Sequence, residues 1–189
     1  MGVAVNVLPV VEFWTLWVKV DEVILNEKTE LVLRAILIGA GATLLMDVWA
    51  LLLRQFGIPS LNFAFLGRWI GHLRQGQWMH RSIAGATPVR GERLIGWVAH
   101  YLIGIAFAAV LLVGWGPVWA RQPTLIPALI VGIGSVAAPF LLMQPGMGLG
   151  IAARRTPNPA AARRRSLTTH AIFGLGLYAA GWAVRLIEL

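Results

Sequence analysis

The chain has 189 residues, of which 58% are hydrophobic and only 13% charged, with a formal net charge of +8 and no cysteine. Soluble domains of this size are close to half apolar and a quarter charged, so this composition belongs to the membrane class. Disulfides, cysteine metal sites and thiol catalysis are excluded outright.

The first segment, "VAVNVLPVVEFWTLWVKV" (3–20), is apolar but interrupted by Asn6, Pro9, Glu12 and Lys19. It lacks the basic start and small-residue cleavage site of a signal peptide. It reads as an interfacial helix anchored by Trp14 and Trp17, and residues 1–30 as a periplasmic or interfacial segment ahead of one membrane domain, 31–189. Four runs are then long enough to cross a hydrocarbon core, which takes about 20 helical residues. They cover about 31–53, 94–114, 124–143 and 168–187. The fold class expected is all-α: a polytopic membrane protein with a bundle of four transmembrane helices. Strands are not expected, because the runs are continuous rather than alternating.

Between the first two spans, "SLNFAFLGRWIGHLRQ" repeats Leu61, Phe65, Trp69 and Leu73 at helical spacing, with Arg68, His72 and Arg74 off that stripe. This predicts an amphipathic helix on the inner leaflet. The following "GQWMHRSIAGATPVRGER" is punctuated by glycine and proline and reads as loop, with His72 and His80 solvated.

Charge sets the expected orientation. Segment 55–93 carries Arg68, Arg74, Arg81, Arg90 and Arg93 against one acid, Glu92, and segment 144–167 carries Arg154, Arg155, Arg163, Arg164 and Arg165 with none. Cationic loops stay in the cytoplasm, which puts both termini in the periplasm of a bacterial inner membrane. Topology thereby accounts for most of the positive charge, and a nucleic-acid partner is not expected. The partners expected are the bilayer, anionic lipid headgroups at Arg154, Arg155, Arg163, Arg164 and Arg165, and a homodimer or larger membrane-protein partner.

Each span carries a face of small and polar residues, the kind that lets helices approach one another in lipid. Span 1 has Ala40, Thr43, Asp47, Ala50 and Arg54; span 2 has Gly96, His100, Gly104 and Ala108. Span 3 has Ala128, Gly132, Ser135 and Pro139, and span 4 has His170, Gly174, Tyr178, Gly181 and Arg185. At a rise of about 1.5 Å per residue, Asp47 and His100 fall about 6–7 Å from the midpoints of their spans, on the same side. His170 and Gln144 lie toward that side as well. An ionised Asp near the centre of a span costs about 2.5–3.5 kcal/mol on insertion scales, so an intramembrane carboxylate is a functional candidate by default. Asp47, His100, Gln144 and His170 are therefore the candidates for binding a ligand or proton, with His100 able to pair with Asp47 if their spans face each other. The plain alternatives are a packing hydrogen bond for Asp47, a neutral His100 on a backbone carbonyl, and a helix-start role for His170.

The segments "GATLLMDVWALLLRQFGIPSLNFAFLGRWIGHL", "PVRGERLIGWVAHYLIGIAFA" and "APFLLMQPGMGLGIAARRTPNPAAARRRSLTTHAIFGLGLY" resemble, in this order, a bacterial family of small inner-membrane proteins catalogued only as a domain of unknown function. The resemblance covers about residues 35–182 and leaves the acidic first 30 residues outside. It implies four spans in an inner membrane and assigns no activity and no residue roles.

No cofactor, metal site or catalytic residue is expected. Asp47, His100 and His170, with Met143 or Met147, show no local metal-ligand spacing. A haem between His100 and His170 would need two axial histidines at one depth. No serine sits in a nucleophile-elbow context. The functions left are binding or translocation of a small ligand, proton or cation; a structural or accessory subunit; and, last, a membrane enzyme acting on lipid.

Overall fold

A computed structural model describes the backbone of residues 10–58 and 62–187, and the side chains of 26–58 and 62–187. The expected interfacial anchoring by Trp14 and Trp17 lies outside the described side chains, as does Leu61.

The described residues form helices and turns. They are α1 (Val10–Gln55), α2 (Phe63–Leu73), α3 (Glu92–Arg121), α4 (Leu125–Gly134), the one-turn α5 (Gln144–Gly146) and α6 (Pro159–Leu186). Four stretches are long and apolar enough to cross a membrane: Asn26–Gln55, Glu92–Arg121, Leu125–Gly146 and Pro159–Leu186. Each contains one of the four runs expected from sequence, give or take a residue or two at the ends.

The helix faces sort as the small-residue pattern requires. Ala42, Thr43, Gly96, Gly104, Ala108, Ala128, Gly132, Ser135, Gly174 and Gly181 are buried. Leu44, Leu51, Val98, Leu102, Val113, Ile126 and Ile130 are exposed on the outer faces. Close backbone approach is the reason. A Cβ on Gly39 would meet Ile105 N at 2.8 Å and Gly104 O at 2.9 Å, and one on Gly132 would meet Gly174 N at 2.5 Å. Leu and Ile gain nothing by facing a neighbour rather than lipid tails, whereas backbones in van der Waals contact do.

Three boundaries move relative to the sequence reading. Helix α3 reaches Arg121, but Gly116 takes φ 72° beside Pro117, so the regular helix breaks close to its expected end at 114 and a short turn follows. Trp119 then seals the turn into α4 by donating from Nε1 to the Thr124 carbonyl at 3.0 Å. The third span is not one α-helix: after Gly134 it passes through a π-helical turn, Pro139–Met143, before α5. Pro139 cannot donate to the helical ladder, which is the physical cause of the irregularity. Finally, segment 144–167 was expected to be loop throughout. It is helical from Pro159, because Asn158 caps α6 by accepting from Ala161 N at 3.0 Å and Pro159 suits the first helical turn. Arg163, Arg164 and Arg165 therefore stand on the exposed first turns of α6.

Helix α2 packs differently from the amphipathic reading. Its buried face is Ala64, Gly67, Arg68, Gly71 and His72. Gly67 and Gly96 bring α2 against α3 with almost no gap, Gly67 meeting the Glu92 carbonyl and Gly96 the Phe63 carbonyl. Phe65, Trp69 and Leu73, the expected lipid-facing stripe, are half-buried. Arg68 and His72 lie inside because a hydrogen-bonding shell awaits them there.

Candidate functional site

Asp47 sits on α1 and His100 on α3, held together by the Gly39–Gly104 approach about two turns away on α1. His100 donates from Nε2 to Asp47 Oδ1 at 3.0 Å, and their side chains are only 15% and 12% exposed, respectively. Tyr101 donates its hydroxyl to the other oxygen, Oδ2, at 3.1 Å. Both carboxylate oxygens thus accept a hydrogen bond, which satisfies a polar group that lipid would not. The pairing expected from helix depth is present. Tyr101 was missed, although its adjacency to His100 was the available signal: two donors next to each other in sequence can straddle one carboxylate.

Aromatic rings close the site on the α2 side. Phe63 lies 4.5 Å from the His100 ring and 4.3 Å from Trp97, centroid to centroid. Phe63 is the first residue of α2, positioned by the Asn62 cap, whose Oδ1 accepts from Ala64 N at 3.0 Å.

His170 is held at a second centre, where α6 meets α4. Its Nδ1 lies 2.7 Å from Ser135 Oγ, and Ser135 Oγ lies 2.6 Å from the Gly132 carbonyl. The hydroxyl has one proton and the carbonyl can only accept. The serine therefore donates to Gly132, His170 donates from Nδ1 to the serine, and the lone pair rests on His170 Nε2. Gln144 belongs to a third centre, the α5 turn. It is buried, and its Oε1 has no hydrogen-bond partner. Beside it Met147 packs with Leu66 and Ile83. Asp47, His100, His170 and Gln144 all lie toward the same end of the bundle, but their own hydrogen bonds do not join the three centres.

At that end the connection from α2 to α3 docks on the α5 turn. His80 N donates to Gly146 O at 2.8 Å and Ile83 N to Met147 O at 3.1 Å. Trp69 presses its indole against Gly146. Arg68 organises the connection. Its Nε and Nη2 meet the two Glu92 carboxylate oxygens at 2.8 and 2.9 Å, a two-pronged ion pair. Its Nη1 also donates to the carbonyls of Ile83 and Ala86, each at 3.1 Å. The hydrogen bond to Glu92 raises the Arg68 pKa above its ordinary value, against the opposing effect of burial. His72 and His80, expected in solvent, are 5% and 7% exposed. The turn at Ile83–Gly85 and the α5 turn wrap around them, which a reading of local sequence could not see.

The five lipid-headgroup candidates Arg154, Arg155, Arg163, Arg164 and Arg165 are all exposed at this end. Arg163 reaches the Ala152 carbonyl at 2.8 Å and so ties α6 to the turn before it.

The described residues form an all-α bundle of four helices long and apolar enough to cross a membrane, with a carboxylate–imidazole–phenol cluster inside it, an architecture compatible with a multi-pass membrane protein. The chain belongs to the family described as "Protein of unknown function (DUF2938)", which matches residues 36–184. No curated protein and no solved structure matches the chain.

Proposed function

We propose that this is a multi-pass bacterial inner-membrane protein that binds, or passes, a proton, cation or small ligand at Asp47 and His100. The observation that supports this is Asp47 itself: an acid within a membrane-length helix, bonded to both His100 and Tyr101 yet still partly exposed. Asp47 is the charged anchor, His100 its proton partner, and Tyr101 the second donor. Gln144 and His170 supply further polar groups toward the same end. Four spans are few for a conducting path, so a homodimer or a larger partner completes it. No cofactor is part of this proposal.

The test is proton flux in proteoliposomes carrying a trapped pH-sensitive dye. Asp47→Asn keeps size and one acceptor oxygen but cannot exchange a proton with His100, and a general acid–base group is worth about 100-fold or more. Flux should fall at least tenfold. Unchanged flux in a folded Asp47→Asn protein overturns the reading.

The orientation has its own test. The chain has no cysteine, so single cysteines report cleanly. Arg81→Cys and Ala160→Cys should resist a membrane-impermeant maleimide in intact spheroplasts, while Gln122→Cys, at the opposite end of the bundle, should react. The reverse pattern would put the arginine-bearing end outside.

A second reading, an accessory subunit that docks anionic lipid or another membrane protein, is favoured by the exposed arginines on the first turns of α6 and the turn preceding them. Extraction in mild detergent with a stoichiometric partner would support it.

A further inference from the structure

A cavity of about 520 Å³ opens at the same end of the bundle, outside the Asp47 centre, between α2 and the connection to α3. Its lining includes His72, Gln75, Gln77, Thr87 and Arg90. Among the described residues that line it there is no carboxylate. One wall, residues 83–90, is fixed in place: Arg68 holds the carbonyls of Ile83 and Ala86, and Glu92 accepts from Val89 N at 3.0 Å. The cavity is therefore built by the buried ion pair rather than left by a loose loop.

The two buried histidines give it chemistry. His72 Nδ1 lies 2.7 Å from His80 Nε2, and His80 Nδ1 lies 3.2 Å from the Gly146 carbonyl. A carbonyl only accepts, so His80 carries its proton on Nδ1. In the neutral ring its Nε2 is then an acceptor, and His72 must donate to it from Nδ1. That chain of bonds leaves the lone pair on His72 Nε2. Among the described residues no group pairs with Nε2, and it is the one ring nitrogen of His72 left for the cavity that this residue lines.

The site thus presents a hydrogen-bond acceptor and a cation together. A metal ion fits poorly beside Arg90 with no carboxylate at hand. A carboxylate or sulfate supplies negative oxygens but no proton for Nε2. A phosphate monoester, or inorganic phosphate, in its monoanionic form carries a P–OH and P–O⁻ on one tetrahedral centre, and a second pKa of about 6 keeps that form within reach near neutral pH. We infer that this cavity is a binding site for a phosphomonoester group, with His72 Nε2 taking the P–OH hydrogen bond and Arg90 pairing the anionic oxygens. Gln75, Gln77 and Thr87 offer further donors at the rim. If the ligand proton crosses to Nε2, the shared proton moves on from His72 Nδ1 to His80 Nε2. The charge then rests on His80, whose Nδ1 remains on Gly146. The source of the group is either a soluble phosphomonoester or the headgroup of a monoester lipid. The inference does not depend on the Asp47 proposal.

The experiment uses the full chain in nanodiscs of neutral phosphatidylcholine. Inorganic phosphate, glycerol 3-phosphate and sulfate are titrated by calorimetry, and binding to discs doped with phosphatidic acid or with phosphatidylglycerol is compared by native mass spectrometry. Monoesters should bind about tenfold or more tightly than sulfate or the phosphodiester lipid, the scale of one hydrogen bond to a charged group. Binding of phosphate and glycerol 3-phosphate identifies a soluble source; selective retention of phosphatidic acid alone identifies the lipid. Arg90→Gln, on an exposed residue that leaves the fold alone, should weaken binding about tenfold or more. His72→Asn keeps a donor near the Nδ1 position for His80 but removes Nε2, and should abolish the preference for monoesters. Equal binding of phosphate and sulfate, or of the two lipids, overturns the inference, as does monoester binding unchanged in Arg90→Gln.

Discussion

Replacing Arg68 by alanine is expected to destabilise the protein by up to about 3–5 kcal/mol, the cost of leaving one partner of a largely buried ion pair uncompensated. Glu92, 17% exposed at its side chain, would lose both prongs of its partner. The carbonyls of Ile83 and Ala86 would lose a charged donor as well. Lysine should not rescue it, because a single ammonium cannot serve two carboxylate oxygens and two carbonyls in the fork geometry of a guanidinium. Thermal unfolding in detergent measures the loss, and limited proteolysis of residues 74–91 locates it. Arg74→Ala is the control: Arg74 is exposed one turn and a half further along and should shift stability by no more than about 0.5 kcal/mol. An Arg68→Ala protein as stable and as protease-resistant as Arg74→Ala would show that the pair does not hold the connection in place.

Gly39→Val should separate α1 from α3. The new Cβ would stand 2.8 Å from Ile105 N and 2.9 Å from Gly104 O, both backbone atoms that no rotamer change can move aside. Overpacking of this kind costs about 1–3 kcal/mol, and more when backbone must shift. The consequence for the site is larger than the stability loss. Thr43 lies one turn beyond Gly39 and Asp47 one turn beyond Thr43, while His100 precedes Gly104 by one turn. Moving the helices apart by even 1 Å lengthens the 3.0 Å Asp47–His100 hydrogen bond beyond useful geometry. A largely buried polar group that loses its partner is penalised again. Gly39→Val should therefore reproduce the flux defect of Asp47→Asn while leaving the Asp47 side chain intact. Val98→Ala on the exposed face of α3 is the control, with little expected effect. Normal flux in a folded Gly39→Val protein would mean that the site does not need the close helix approach.

The two substitutions probe two different layers of the molecule. Arg68 organises the end of the bundle, where α2 and its connection meet the α5 turn. Gly39 and Gly104 set the spacing between the spans. Asp47 depends directly on the second layer, and on the first through Phe63, which begins α2 and covers the His100 ring.

Much of this was legible in the letters because long apolar runs constrain a chain simply. Continuous apolar runs of about 20 residues demand helices, since every backbone group must be satisfied within the segment. The small-residue faces through Thr43, Gly104, Gly132 and Gly174 named the buried side of each span, because only small residues let backbones touch. Helical rise and antiparallel order placed Asp47 and His100 where they could pair if their helices faced each other, and the structure brings them together. Outside the spans the same reasoning failed. His72 and His80 were read as solvated because polar residues in a loop usually are, and Arg68 was placed off the apolar stripe of its helix. Burial there was decided by partners far along the chain: Glu92 for Arg68, 24 residues away, and Gly146 for His80, 66 residues away.

What the sequence determined by itself, then, is the count of membrane-length helices, their inward faces and the placing of Asp47 and His100 toward one end of the bundle, all of which depend on local periodicity. What only the tertiary structure decided is which polar groups meet. It brought Tyr101 to the second oxygen of Asp47, tied His170 to Ser135 rather than to Asp47, and packed two histidines end to end beneath a cavity. Hydrogen bonds are short and directional, effective only within about 3 Å. Whether two distant side chains satisfy that condition is fixed by how the helices and their connections dock, and no periodicity in the chain encodes it.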